Sequence, residues 1–191
     1  GMAELGKYWQ RDNDRAVRCS PGVVRFLRKT RPASLRQLTR PNQVNAGGWQ
    51  DYARRWALCH LLANNPNYAT RFRTLGAGLL SGNRSTNFHD MFGSMDRELD
   101  FEHRFLLAHV EPGYRVDLCA WDWNARFRPA RDGRTVTRRV VANRGWQPTR
   151  VNVKNGREYN LVVADGRWRV TGNGPELDAN GGRDGRGRLE A

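Results

Sequence analysis

Lysine is nearly missing from this chain, and arginine stands in its place. Of 33 basic residues only Lys7, Lys29 and Lys154 are lysine, against 19 acidic residues and a net charge of +14. The excess is spread rather than concentrated. Residues 1–110 carry 17 basic and 9 acidic side chains, residues 111–191 carry 16 and 10, and no Lys/Arg run exceeds two. A nucleic-acid groove gathers charge into a stripe, so this distribution argues against nucleic acid as the main partner and fits an arginine-rich solvated surface. Cysteine is also scarce: Cys19, Cys59 and Cys119 lie far apart. No pair has the spacing of a zinc site, and three thiols cannot all pair into a disulfide framework. They read as buried free thiols; one long-range bridge plus a free thiol is the alternative, and it would require an oxidising compartment. No apolar run approaches the roughly 20 residues of a membrane span. No leader is visible, but Gly1-Met2 reads as a scar in front of a cut-out fragment, so that absence leaves location open.

Catalytic signatures are missing as well. The four histidines, His60, His89, His103 and His109, form no His-Glu-x-x-His string, which would place two zinc ligands one helical turn apart with a general base between them. His103 and His109 point to different faces of one helix. There is no Gly-x-Ser-x-Gly, P-loop or dinucleotide fingerprint. Asp96, Glu98, Asp100 and Glu102 form an acidic run in which a pair such as Glu98 and Glu102 could share a proton in a glycosidase-like site. Acids are favoured near a helix N-terminus in any case, and a solvated face is the preferred reading. The chain is therefore expected to bind rather than to react.

What is present is a change of rhythm. Ser20 and Pro21 open a helix over 20–30 as N-cap and first helical residue. Residues 34–39 read as a short helical turn. Trp49, Tyr52, Ala53, Trp56, Cys59, His60 and Leu61 follow helical spacing, broken by Asn64, Asn65 and Pro66. Tyr68, Phe72, Leu75 and Leu79 continue it until Gly82. Phe88, Met91 and Phe92 make a short helix stopped by Gly93. Ser94 is placed to cap a last helix through Leu99, His103, Leu106 and Val110. Past Gly113 the period becomes 2: Tyr114, Val116 and Leu118, then Val151 and Val153, then Tyr159, Leu161 and Val163, then Trp168 and Val170. Asn155-Gly156 and Asp165-Gly166 are strong hairpin signals between such runs. The expectation is an α+β chain: a helical domain over 1–112 and a β-sandwich-like (lectin- or jelly-roll-like) domain over 113–191, with a meander at about 135–171.

Two groups of residues stand out as binding candidates. An exposed indole offers a flat face to the C–H side of a sugar, while nearby amides take its hydroxyls. Trp146 with Asn143 and Gln147, and Trp168 with Asn173, fit that pattern; Trp121 and Trp123 flank Asp122 in the same fashion. Core packing is the competing explanation for each. Asp178, Asn180 and Asp184 form a Gly-rich oxygen-ligand loop of the kind calcium uses, although the spacing differs from an EF-hand. A plain solvated loop is the alternative.

The stretch YARRWALCHLL followed by FHDMFGSMDRELDFEHRFLL resembles the closing helices of gluzincin-type, peptidase-like bacterial proteins, through Tyr52, Trp56, Ala57, Leu58, Phe88, Phe92 and Gly93. The zinc-binding segment is missing, so no catalytic residue carries over. The stretch VVANRGWQPTRVNVKNGREYNLVVADGRWRV is similar to the first half of galactose-binding lectins of the PA-IL type, through Ala142, Asn143, Gly145, Thr149, Gly156, Ala164, Gly166 and Trp168. That resemblance implies a β-sandwich cut short at residue 191, with the family's calcium and sugar ligands beyond it. Together these readings point to a carbohydrate-binding or adhesion-like module of a secreted or envelope protein, with calcium as its candidate cofactor. An accessory or remnant part of a zinc metallopeptidase-like protein is the alternative, and nucleic-acid binding through arginine the least favoured.

Overall fold

A computed structural model of the chain describes residues 15–40, 48–141, 145–169 and 173–178. It divides into two compact units, Gly1–Arg126 with Asn143–Thr149, and Phe127–Ala142 with Arg150–Ala191.

The first unit is helical. α1 (Pro21–Lys29) starts where the Ser20 hydroxyl accepts from the Val23 amide, with Pro21 in the first turn and Arg28 and Lys29 in the last. That places side-chain charge favourably on the helix dipole. α2 (Leu35–Leu38) is closed by a capping box in which the Ser34 and Gln37 side chains each accept from the other's backbone N–H. Such reciprocal capping satisfies donors that a four-residue helix cannot satisfy itself. α3 (Trp49–Asn64) buries Ala53, Trp56, Ala57, Leu58, His60, Leu61 and Leu62. Trp49 and Tyr52 stay largely exposed, Trp49 meeting the edge of Phe26 at 5.0 Å. α4 (Ala69–Leu80) and α5 (Phe88–Phe92) follow. A 3-10 turn over Gly93–Met95 leads into α6 (Asp96–His109). Ser94 therefore sits inside that turn instead of capping α6, whose N-cap is Met95 with no side-chain cap bond. α3 packs on α1, α4 and α6, and α1 also packs on α6, so one core of Leu, Val and aromatic side chains runs through the unit.

The described residues after Gly113 do not form the expected β-sandwich. Among the described residues, regular strands are confined to β1 (Arg128–Pro129) and β2 (Val151–Asn152), which pair in parallel. The α+β reading with a lectin- or jelly-roll-like second half is thus overturned: the described chain is mostly helical with a two-residue ladder. Three physical reasons stand behind this. Tyr114 and Val116 do alternate inward, but onto the helical core; Tyr114 holds Val17 by one backbone bond of 2.9 Å, and Cys119 and Leu118 then turn back onto the Arg115 carbonyl. Pro129 has no N–H to pair a further strand on the edge of β1 away from β2, and Arg150 sits at φ 58° just before β2. Leu161, Val162 and Val163 are 76%, 77% and 48% exposed, so no second layer buries the face a meander would need. Asn155-Gly156 does turn, with Gly156 at φ 76°, but no antiparallel ladder flanks it. Two isolated antiparallel bridges, Ala16 with Arg115 and Trp168 with Leu177, lie outside these strands among the described residues.

Among the described residues no helix is long and apolar enough to cross a membrane. The three cysteines are thiols outside any disulfide; burial pushes the Cys19 and Cys59 thiols up to about 11.

Candidate functional site

The turn between α3 and α4 builds the most unusual feature of the helical unit. Asn65 ends α3, its backbone N–H donating to the Leu61 carbonyl. Its side-chain oxygen accepts from the Asn67 amide at 2.9 Å, and its carbonyl accepts from Tyr68 and Ala69. This Asx turn aims Asn65, Asn67 and Tyr68 at one carboxyl, Glu102 on α6. Glu102 is 4% exposed. Its Oε1 accepts from Asn67 Nδ2 at 2.9 Å and from Trp123 Nε1 at 2.6 Å, and its Oε2 accepts from Asn65 Nδ2. Asn67 Nδ2 also donates to the Trp121 carbonyl at 2.8 Å. The Tyr68 hydroxyl lies buried beside the same carboxyl, close enough to favour its charge, but short of hydrogen-bond geometry. Burial raises the Glu102 pKa above the usual carboxylate value, and the bonds from Trp123, Asn67 and Asn65, with the Tyr68 hydroxyl beside them, pull it part of the way back. Burial, then the Glu102 charge, pushes Tyr68 well up. A cavity of about 10 Å3 between Leu61, Asn65, Glu102, Tyr114 and Trp121 has room for about one water.

Above this carboxyl lies a strip of rings along the outer side of α6. Phe101 meets Trp121 edge-on at 4.7 Å and Trp123 at 5.6 Å; Trp121 and Trp123 stack at 5.9 Å and 24°. Phe105 joins Trp121 at 5.9 Å to Trp146 at 6.0 Å and His109 at 4.4 Å, and His109 meets Trp146 at 4.5 Å. Helical spacing explains the alignment, since 101, 105 and 109 recur at i, i+4, i+8. Phe101 is 41% and Trp123 38% exposed, while Trp121, Phe105, His109 and Trp146 are half-buried. The bond from Trp123 Nε1 to Glu102 fixes the outermost ring, with Asp122 and Asn124 exposed beside it.

The residues singled out in the sequence fall in different places. Trp146 lies in the strip, and Gln147 Nε2 donates to the Gly145 carbonyl at 3.2 Å in the same loop. Trp168, half-buried, and Asn173, exposed, belong to the other unit. Asn143 lies outside the described residues. So do Asn180 and Asp184; of the calcium candidates only Asp178 is described, and it is exposed. Among the described residues no three His, Cys, Asp or Glu side chains converge as a metal site. In the sequence Asn65 reads only as a helix break and Tyr68 only as the start of the next apolar period, while Asn67, Phe101 and Phe105 carry no reading. The one available signal was the density of amides in Asn-Asn-Pro-Asn-Tyr opposite an acidic helix.

No protein-family model, curated protein or solved structure matches the chain.

Proposed function

We propose that this protein is a non-catalytic binding module whose aromatic strip takes carbohydrate, in a secreted or envelope setting. The observation that carries the reading is the strip itself. It offers flat apolar rings at the surface, and an exposed Asp122 and Asn124 lie beside Trp123. Sugars present one apolar C–H face and a rim of hydroxyls, which such a surface matches. The buried carboxyl supports binding over catalysis. Both oxygens of Glu102 already accept bonds from fixed protein donors, whereas a general acid or base must reach the substrate proton. In this arrangement Glu102 is a positioning residue that holds the Trp123 ring at the surface.

The test is calorimetric titration of the full chain with oligosaccharides, repeated on Trp123→Ala and Phe101→Ala. Binding that falls about tenfold or more in either variant, the order of one well-placed aromatic contact, supports the reading. No heat with any oligosaccharide, or affinity indifferent to both substitutions, overturns it.

A further inference from the structure

We propose that the ligand is an anionic glycan, bearing carboxylate or sulfate groups, and that an arginine-lined concavity flanked by Arg104 seats those groups; this rests on the carbohydrate reading of the strip. Arg31 follows α1, Arg54 and Arg55 stand on α3, and Arg104 stands on α6, and all four line one concavity of about 810 Å3 together with Ser34, Gln37 and Asp51. Ligand sites for small organic molecules run to roughly 300–1,000 Å3, so the space suits a sugar residue with its acid substituent. Four guanidiniums against one lining carboxylate leave the wall strongly cationic, although along the sequence no Lys/Arg run exceeds two. Three separate segments must fold together to make it.

The existing partners of Arg54 and Arg104 leave these two available. Arg54 Nη1 reaches Asp51 at 3.5 Å, a pair three residues apart. Arg104 Nε pairs with Asp100 at 2.7 Å, four residues apart and largely exposed. Exposed pairs of this kind contribute little, so an incoming oxyanion displaces or shares them at small cost. Arg54 Nε is buried with no hydrogen-bond partner among the described residues, while its guanidinium carbon sits 5.0 Å over the Phe26 ring. That stacking holds the planar fork in place, and the fork matches carboxylate and sulfate geometry. Continuity with the strip comes from α6: Arg104 lies three residues after Phe101 and immediately before Phe105, and residues three apart are neighbours on a helix surface. A ligand lying on the rings therefore reaches the concavity with a substituent.

The experiment titrates the full chain with neutral, uronate-bearing and sulfated oligosaccharides of equal length, and with single-stranded RNA. The variants are Arg104→Gln, whose side chain is 61% exposed, and the double variant Arg54→Gln/Arg104→Gln; circular dichroism checks folding, and the single variant decides alone where the double does not fold. Acidic oligosaccharides are expected to bind about tenfold or more tighter than neutral ones, the effect of one or two charge-assisted bonds. The variants should lose that preference and keep the neutral affinity, and the two acidic arms tell carboxylate from sulfate. Equal binding of neutral and acidic sugars, or an acidic preference untouched by the arginine substitutions, overturns the inference and leaves the carbohydrate reading standing. No binding to any oligosaccharide, with or without RNA binding, overturns both.

Discussion

Replacing Glu102 by alanine strands the donors that converge on it, and their surroundings set the cost. Asn65 is 1% exposed, and its Nδ2 would lose its carboxylate acceptor; an unsatisfied buried donor costs about 1–3 kcal/mol. Asn67 keeps the Trp121 carbonyl. Trp123 is exposed enough to turn to water. Removal of the carboxyl also relieves its own desolvation. The balance is a destabilisation of about 2 kcal/mol, or about 8 °C in Tm for a unit of this size. Urea unfolding followed by tryptophan fluorescence measures it directly. A second handle is pH, through Glu102→Gln. Burial raises the carboxyl above its ordinary 4.5 in the folded state, so the folded chain holds a proton where the unfolded chain has released it. The contribution is fully present below 4.5 and is lost as pH rises through the folded-state value. Wild-type stability relative to Glu102→Gln must therefore fall as pH climbs above 4.5. A Glu102→Ala midpoint indistinguishable from wild type, or a wild-type-to-glutamine difference that is flat with pH, would refute the reasoning. Asn65→Ala in the Glu102→Ala background should cost less than it does alone, because the two share one bond.

His103 is 1% exposed with neither ring nitrogen partnered among the described residues, and burial lowers it to about 4, with Asp100 opposing and Arg104 adding. Its neutral form is favoured by the fold, so its contribution is intact above 6.5 and lost as pH falls toward 4, the opposite slope to Glu102. His103→Leu should raise stability at pH 5 relative to wild type, by about 2 kcal/mol, as read from urea midpoints; unchanged midpoints would refute it. Gly145 has φ 67°, and a Cβ there would stand 3.1 Å from Cys119 Sγ, so Gly145→Ala should cost about 1–2 kcal/mol and weaken sugar binding by shifting Trp146. Cys59 and Cys19, both pushed to about 11, should react with iodoacetamide at pH 8 about 100-fold more slowly than in the unfolded chain; rates that match would place these thiols at the surface.

Much of the helical unit could be read in advance because its signals are local. Ser20 with Pro21, Ser34 with Gln37, and Asn64-Asn65-Pro66 each act within one turn of chain. The failure at Ser94 is also local: the chain enters α6 through a 3-10 turn, and no sequence feature distinguishes that from a capped start. The β-sandwich expectation failed for a different reason. Alternation at Tyr114 and Val116 reports burial, and burial against helices satisfies it as well as a sheet does. Val151, Leu161 and Val163 alternate too, but a strand is defined by its neighbour, and among the described residues β2 has two residues of parallel partner.

By itself the sequence determined where the helices begin and stop, the start of α6 excepted, that an arginine excess covers the chain, and that the familiar catalytic strings are missing. An α-helix closes its hydrogen bonds within four residues, so its code lies within reach of any short window. Tertiary structure alone decided that Glu102, one acid in a run of four, is the buried one. Its donors stand 37, 35 and 21 residues away in the chain, and the same folding aligns the rings of α6 with Trp121, Trp123 and Trp146. Contacts at that separation depend on how the helices pack, which no local pattern encodes.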